Sequence, residues 1–405
     1  MAPTRPNNKK SKSKARHKKH HPSPASQSPK QLLAQATAAF EQGDLDAALS
    51  LASDALAACE DAGTPSSERM APAACVLLGE IRVERGEPDE ARAAFLRAAD
   101  ADPDGTSLPD ELGGGPDKFL WLAQLSEDGG ADSVAWFERG AAAMRSQIGA
   151  LEEAAAEARR KSGGGGRAGE ATAAALDAAA AEKRRKLAET LCAVAEVYMT
   201  DLSWEADAEQ RCEALVTEAT MLAPELPDAW QTVANVRVSQ ERRGDAVAAL
   251  ERSMALWRDL EPEDTRVPAF PTRVGLARLL MEVEMEERAV EVVERLVAED
   301  DESVEAWYLG GLGWHTLGRK AREAAGEEAA GREEWKKKWK AARRWLGHCL
   351  DLFAAQEYED ERLGEHAKEM LVEVKAEIGD DEDDEDDGDD GWEDVDGDGD
   401  EEMEQ

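Results

Sequence analysis

The 405 residues carry a formal net charge of −39, only 5% of them are aromatic, and the five cysteines are scattered singly. This composition favours helix almost throughout and excludes a β-rich fold, while the absence of paired cysteines argues against a disulfide framework or structural zinc. No apolar run approaches the roughly 20 residues needed to cross a bilayer, so no membrane association is expected.

The charge is distributed unevenly along the chain. Residues 1–30 contribute +9 and residues 380–405 contribute −18, which leaves −30 for residues 31–379. We therefore expect a basic N-terminal tail, an acidic body and a more acidic C-terminal tail. Such a chain repels nucleic acid and attracts a basic partner.

The basic tail, residues 1–30, contains almost no apolar side chains and is expected to be disordered. Its lysine cluster at residues 9–21 is typical of a nuclear import signal that an import receptor binds. A nucleic-acid-binding arm and a merely solvated tail remain alternatives. An import signal predicts that the protein occurs in the nucleus as well as in the cytoplasm.

Paired helical patterns repeat from residue 31 to residue 379. The first begins near Leu32, and the next three approximate units cover residues 72–103, 119–144 and 187–222. A glycine-rich segment, residues 162–169, interrupts them and is expected to be a flexible insertion, because no phosphate-binding lysine follows it.

Three further units follow, and the last is the clearest. The fifth starts at Trp230, and the sixth covers residues 268–301. The seventh opens with SVEAWYLGGLGWHTLG at residues 303–318, which matches the W-x2-L-G-x2-Y pattern of a tetratricopeptide repeat. A charged insertion at residues 320–334 and a capping helix at about residues 357–378 complete the array.

The predicted fold class is therefore all-α: a tetratricopeptide-like helical-hairpin solenoid of about seven units, some degenerate, over residues 31–379. Residues 1–30 and 380–405 are its tails. Bulky and small side chains at the repeat offsets are expected to pack the paired helices together. They are Gly79, Ala91, Trp230, Ala234, Trp307, Gly311 and Trp314.

No pattern in the chain indicates catalysis, a cofactor or a metal. The tail run Asp394, Asp396 and Asp398 resembles the start of a calcium loop, but its twelfth position is Gln405 instead of glutamate. We therefore expect a protein that is not an enzyme, with no cofactor and no bound metal.

The segment WKKKWKAARRW, residues 335–345, has two interpretations. It resembles a nucleic-acid stacking surface, but tryptophans four residues apart share one helical face and are expected in the core. The lysines then form a basic outer face, which is also able to hold the acidic tail in the absence of a ligand.

The first helix of each repeat is expected to line a ligand-binding groove. The candidate contacts are Glu80, Glu84, Asn235, Glu282, Glu305, Tyr308 and His315, with Ser239 and Arg278 beside them. An acidic groove suits Lys/Arg-rich segments. Repeats that bind the C-terminal carboxylate of heat-shock chaperones use lysine, asparagine and arginine, and here mainly Asn235 is present. The acidic tail adds Asp383, Asp384, Glu385, Asp386, Trp392 and Glu393 as candidates.

The combination of VEAWYLGGLGWHTLG, an acidic end around GWEDV, a basic N-terminal tail and tetratricopeptide units resembles a fungal family of dedicated assembly chaperones. Their client is the large-subunit ribosomal protein numbered four. The resemblance implies a protein that binds a newly made basic ribosomal protein, shields its basic extension and escorts it to the pre-ribosome in the nucleus. We also expect a monomer that does not bind nucleic acid directly. The alternative is a general tetratricopeptide scaffold or co-chaperone adaptor.

Overall fold

The computed structural model describes residues 27–62, 64, 68–161, 167–325 and 329–379. Within these ranges the regular structure is helical and no strand occurs, so the all-α prediction is confirmed. The fifteen helices of this part of the chain are α1 (Pro29–Glu41), α2 (Leu45–Ala62), α3 (Ala71–Glu84), α4 (Pro88–Ala101), α5 (Asp117–Gln124), α6 (Gly130–Lys161), α7 (Arg167–Met199), α8 (Ala208–Leu222), α9 (Pro227–Ser239), α10 (Arg243–Met254), α11 (Phe270–Glu282), α12 (Glu286–Glu299), α13 (Val304–Ala325), α14 (Ala329–Ala355) and α15 (Glu361–Ile378).

Two helix boundaries differ from those expected. Helix α1 begins at Pro29 because Ser28 caps it: Gln31 N donates to Ser28 Oγ at 3.4 Å and Ser28 N donates to Gln31 Oε1 at 3.0 Å. The charged segment 320–334 is mostly helical, since α13 continues to Ala325 and α14 starts at Ala329. Residues 1–26, 162–166 and 380–405 lie outside the described residues, as do the tail candidates from Asp383 to Glu393.

The chain divides into two compact units between Thr232 and Val233. In the first unit, consecutive helices pair as hairpins: α1 with α2, α3 with α4, α5 with α6 and α7 with α8. In the second, α11 pairs with α12 and α13 with α14, and α15 packs on both helices of the last hairpin. Small buried residues such as Ala36, Ala52 and Ala74 let the helices approach closely in the first core.

Helices within the hairpins approach so closely that a Cβ atom at several glycine positions would overlap a neighbouring side chain. A Cβ atom on Gly79 would lie 2.5 Å from the Phe95 ring, and one on Gly311 would lie 2.6 Å from Leu346 Cδ2. Both distances are shorter than any normal carbon–carbon contact. The small residues of the repeat pattern therefore lie where a first helix meets its second helix.

Two tryptophans hold the start of a first helix in the same way. Trp230 donates from Nε1 to the carbonyl of Pro224 at 3.0 Å, and Trp307 donates to the carbonyl of Asp301 at 2.7 Å. In each case the acceptor lies six residues earlier, in the loop before the helix. The indole thus fixes the angle between this loop and the helix while its ring packs on neighbouring side chains.

A buried ion pair holds the connector between α4 and α5. Lys118 Nζ lies 2.9 Å from Asp102 Oδ2 and donates to the carbonyl of Gly115 at 2.9 Å, and both charged side chains are fully buried. Desolvation lowers the pKa of Lys118 despite the carboxylate. The connector is therefore part of the first core and is not a solvated loop.

Candidate functional site

In the first unit, polar side chains link the first helices of neighbouring hairpins. We call the surface made by α3, α5 and α7 the first-helix surface of this unit. Lys186 Nζ on α7 lies 2.5 Å from Asp117 Oδ1 on α5, and Lys183 Nζ lies 3.0 Å from Asp110 Oδ2 just before α5. The lysines of α7 thus already pair with the protein's own carboxylates.

Glu80, one of the predicted groove residues, lies on this surface and is half-buried. Burial raises the pKa of its carboxyl, repulsion from Asp117 raises it further, and Lys186 only partly offsets both effects. The raised pKa means that burial and the nearby Asp117 destabilise the charged form of Glu80 more than Lys186 stabilises it. Glu84, one turn further along α3, is exposed.

Glu196 on α7 is a second such carboxylate. Its side chain reaches solvent, yet the surrounding protein withdraws enough water to raise its pKa. Glu196 is not among the predicted groove residues, which lie in the second, fifth, sixth and seventh units. Glu189 and Glu196 are seven residues apart and therefore lie on the same face of the helix. This spacing is the feature of the sequence that indicates Glu196.

In the second unit, an ion pair joins the first helices α11 and α13. Arg278 and Glu305 are paired, with 63% of the arginine side chain and 24% of the glutamate side chain exposed. Glu282 on α11 is exposed, and Asn235 on α9 is half-buried. Of the predicted groove residues in this unit, Glu282 is therefore the carboxylate that solvent reaches most readily.

Tyr308 and His315 face the terminal helix α15. Tyr308 Oη lies 2.8 Å from His366 Nδ1, and His315 Nε2 lies 3.2 Å from Glu373 Oε2. His315 is only 6% exposed, and desolvation lowers its pKa although Glu373 acts in the opposite direction. Both were predicted as ligand contacts, but α15 packs beside α13 and engages their polar atoms inside the second unit.

Neither an exposed cysteine nor a metal-binding cluster is found in the described ranges. All five cysteines are free and buried. Burial raises the pKa of Cys192 and of Cys349 to about 12, so neither forms a thiolate readily at neutral pH. Among the described side chains, no group of three or more His, Cys, Asp or Glu is placed to hold a metal ion. None of the described helices has the length and apolarity of a membrane span.

Stacked helical hairpins with glycine and alanine at the helix crossings define a tetratricopeptide-repeat protein. The family model for the tetratricopeptide repeat matches residues 39–108. The two units thus present polar first-helix surfaces on a tetratricopeptide-repeat fold.

The chain belongs to the family of assembly chaperones of rpl4. It is 42% identical over 388 residues to the probable assembly chaperone of rpl4 from Emericella nidulans, covering 93% of this chain and 90% of that one. The protein of the same name from Schizosaccharomyces pombe is 28% identical over 297 residues, which are 73% of this chain and 78% of the relative. A solved structure of the assembly chaperone of RpL4, residues 1–338, is 57% identical with a TM-score of 0.65 and covers 74% of this chain and all of that chain.

Proposed function

We propose that this protein is a dedicated chaperone, without enzymatic activity, that binds a newly made basic protein of the large ribosomal subunit. The client is the ribosomal protein rpl4, for which the relatives are named. The chaperone shields a Lys/Arg-rich segment of the client and escorts it to pre-ribosomes in the nucleus.

The observation that carries this proposal is the half-buried carboxyl group of Glu80, which lies near Asp117 and is only partly compensated by Lys186. Burial and Asp117 raise the pKa of Glu80 even with Lys186 nearby. A lysine or arginine of a client that enters this surface supplies positive charge and recovers part of the desolvation cost. Glu196 on α7 offers the same gain. A cation-rich ligand is therefore favoured over an acidic one.

The net charge of −30 on residues 31–379 extends this local preference to the whole body. A ribosomal protein segment built to contact rRNA is dense in lysine and arginine, and before assembly it binds any available polyanion. An acidic repeat surface takes the place of the RNA. It releases the client to rRNA because the nucleic acid is the denser polyanion.

Binding of purified rpl4 to the full chain tests the proposal. Because each exposed contact contributes only tenths of a kcal/mol to about 1 kcal/mol, Glu80→Gln together with Glu196→Gln should weaken binding roughly threefold to tenfold. The matched control is Glu153→Gln, an exposed glutamate on the second helix α6, which should leave the affinity unchanged. The affinity should also fall steeply with salt. A complex that resists high salt, or the absence of any complex, contradicts the proposal.

The tetratricopeptide adaptor is the alternative function, and it requires a different ligand. It predicts that the chain binds peptides ending in an acidic carboxylate motif. The raised pKa of Glu80 disfavours such a ligand, because a further carboxylate adds to the repulsion from Asp117. Binding of an acidic-ended peptide with higher affinity than rpl4 supports the adaptor and overturns the chaperone.

The cellular route belongs to the same proposal. Residues 9–21 bind an import receptor, so the protein moves between cytoplasm and nucleus as a monomer and does not contact nucleic acid directly. The lysine cluster in this segment supports import. Replacing Lys9, Lys10 and Lys12 with alanine should shift a fluorescent fusion from nucleus to cytoplasm, and light scattering should give the monomer mass. Unchanged nuclear signal contradicts the import step.

A further inference from the structure

Helix α14 carries a strongly basic strip within residues 31–379, whose net charge is −30. We call it the basic α14 face and define it by Lys336, Lys337, Lys340, Arg343 and Arg344. Lys337, Lys340 and Arg344 are exposed, and the other two are half-buried. Spacings of three and four residues keep all five on one side of the helix.

The opposite side of α14 is apolar and closed. Trp335, Trp339 and Trp345 are at most 8% exposed and pack into the core of the second unit. Typical sites for single-stranded nucleic acid combine positive charge with aromatic rings on which the bases stack, and here these rings are covered. The basic α14 face therefore offers charge without a stacking surface, which suits a flexible acidic peptide better than RNA.

The C-terminal end of α15 lies directly beside this face. Arg343 Nη1 donates to the carbonyl of Gly379 at 3.1 Å. Gly379 ends the described part of the second unit, and Asp380 follows it. Residues 380–405 contain eighteen Asp and Glu and no Lys or Arg. The most acidic segment of the chain thus starts at the basic α14 face.

The acidic side chains near the end of α15 are directed elsewhere. Glu377 pairs with Arg322 at 3.0 Å, and Glu373 contacts His315 at 3.2 Å, so both reach α13. The carboxyl end of α15 also carries the negative pole of its helix dipole. A run of carboxylates that starts at this pole is destabilised unless positive side chains lie close by, and those of α14 do.

We propose that the basic α14 face is the docking site of this chain's own acidic segment, residues 380–405. From Lys336 to Arg344 the strip is about 12 Å long, which about four extended residues span. Because the segment is joined to α15 without a linker, its effective concentration at the face is in the millimolar range or above. The segment thereby neutralises the face and keeps other polyanions away from it. This inference does not depend on the client of the repeat surface.

Carbodiimide cross-linking of the full chain tests the docking, because the reagent joins only a carboxylate and an amine in direct contact. We expect amide links between residues 380–405 and Lys336, Lys337 or Lys340. The yield of these links should fall as the salt concentration rises above about 0.1 M, because salt screens the attraction between exposed charges. Mixing isotopically heavy and light chains separates links within one chain from links between chains.

Arg344→Glu removes attraction from the face and leaves all three lysines available for reaction. The cross-link yield should fall roughly twofold to fivefold, the range expected for one exposed charge pair. The matched control is Arg160→Glu, an exposed arginine of the first unit, which should leave the yield unchanged.

Four results overturn the proposal. In the first, the acidic segment links to the lysines of residues 9–19 and not to α14. In the second, the links join heavy to light chains. In the third, Arg344→Glu leaves the cross-link yield unchanged. In the fourth, single-stranded RNA binds the wild-type chain and Lys336→Glu/Lys337→Glu/Lys340→Glu abolishes this binding. The last outcome assigns the face to RNA.

Discussion

Tyr308 Oη and His366 Nδ1 lie 2.8 Å apart and join the first helix of the last hairpin to the terminal helix. Seven residues further along both helices, His315 and Glu373 make the next contact at 3.2 Å. Because both pairs are separated by 58 residues, α13 and α15 run in the same direction. Helix α15 therefore takes the place that the first helix of another repeat would occupy, and it closes the end of the second unit.

The contact at His315 predicts that acid weakens the second unit. Desolvation lowers the pKa of His315, so the unfolded chain takes up this proton more readily than the folded one. The stabilisation by the neutral ring is complete above the ordinary histidine pKa of about 6.5 and is lost as the pH falls through the lower, folded-state value. His315→Gln should lose less stability than wild type between about pH 7.5 and about pH 5.5. Denaturant unfolding at each pH measures this.

Glu373→Gln tests the same contact by changing the residue that faces His315. It keeps a hydrogen-bonding group beside His315 but removes the charge that raises the pKa of the ring. Acidification should therefore destabilise Glu373→Gln more than wild type. If all three proteins showed parallel pH profiles, His315 would have no part in the response.

A very close helix contact in the second unit, at Gly310, predicts a sharp difference in stability between two glycine substitutions. A Cβ atom on Gly310 would lie 2.1 Å from Trp345 Cε3, whereas one on Gly347 meets nothing within 4 Å. Gly310→Ala should cost about 1–3 kcal/mol by overpacking, and Gly347→Ala should gain about 0.5–1 kcal/mol from its helical position. Gly311→Leu, against Leu346, should unfold the unit. Thermal unfolding monitored by circular dichroism measures these differences in stability. Equal melting temperatures for the two alanine variants would refute the packing argument.

The buried pair between Lys118 and Asp102 predicts a large loss of stability in the first unit. Lys118→Met leaves Asp102 charged and unpaired in the core and should cost about 3–5 kcal/mol. Lys118→Met with Asp102→Asn removes both charges and should cost clearly less than the two single changes added together. Chemical denaturation of the four proteins gives this coupling. Strict additivity would mean that the two charges do not interact.

Substitutions at the ion pair between Arg278 and Glu305 distinguish an effect on client binding from an effect on folding. Glu305→Lys places two cations together on a partly exposed surface and should cost at most about 1 kcal/mol of stability. It should weaken rpl4 binding, because it replaces an acidic groove residue with a basic one. The double change Arg278→Glu/Glu305→Lys restores the ion pair and the stability. A loss of helical signal in Glu305→Lys as large as that in Gly311→Leu would contradict this division of roles.

The sequence alone contained most of the local information. Apolar and small residues at helical spacings predicted the helices, and the offsets around Trp230 and Trp307 identified the starts of two first helices. Turn glycines located several hairpin bends, because Gly43 and Gly86 take positive φ angles of 76° and 70° that other residues adopt at a cost. These features depend on residues close together in the chain, which is why they can be predicted from sequence.

What depended on distant residues was decided only by the tertiary structure. Tyr308 and His315 occupy groove positions in the repeat pattern, but α15 covers them with residues 58 positions away. The burial of Lys118 with Asp102 and the desolvation that raises the pKa of Glu196 likewise depend on residues brought close by folding. The sequence by itself thus determined an acidic, all-helical repeat protein and the faces of its helices. The tertiary structure decided which neighbour covers each face, because desolvation and pairing depend on the groups that surround a side chain in space.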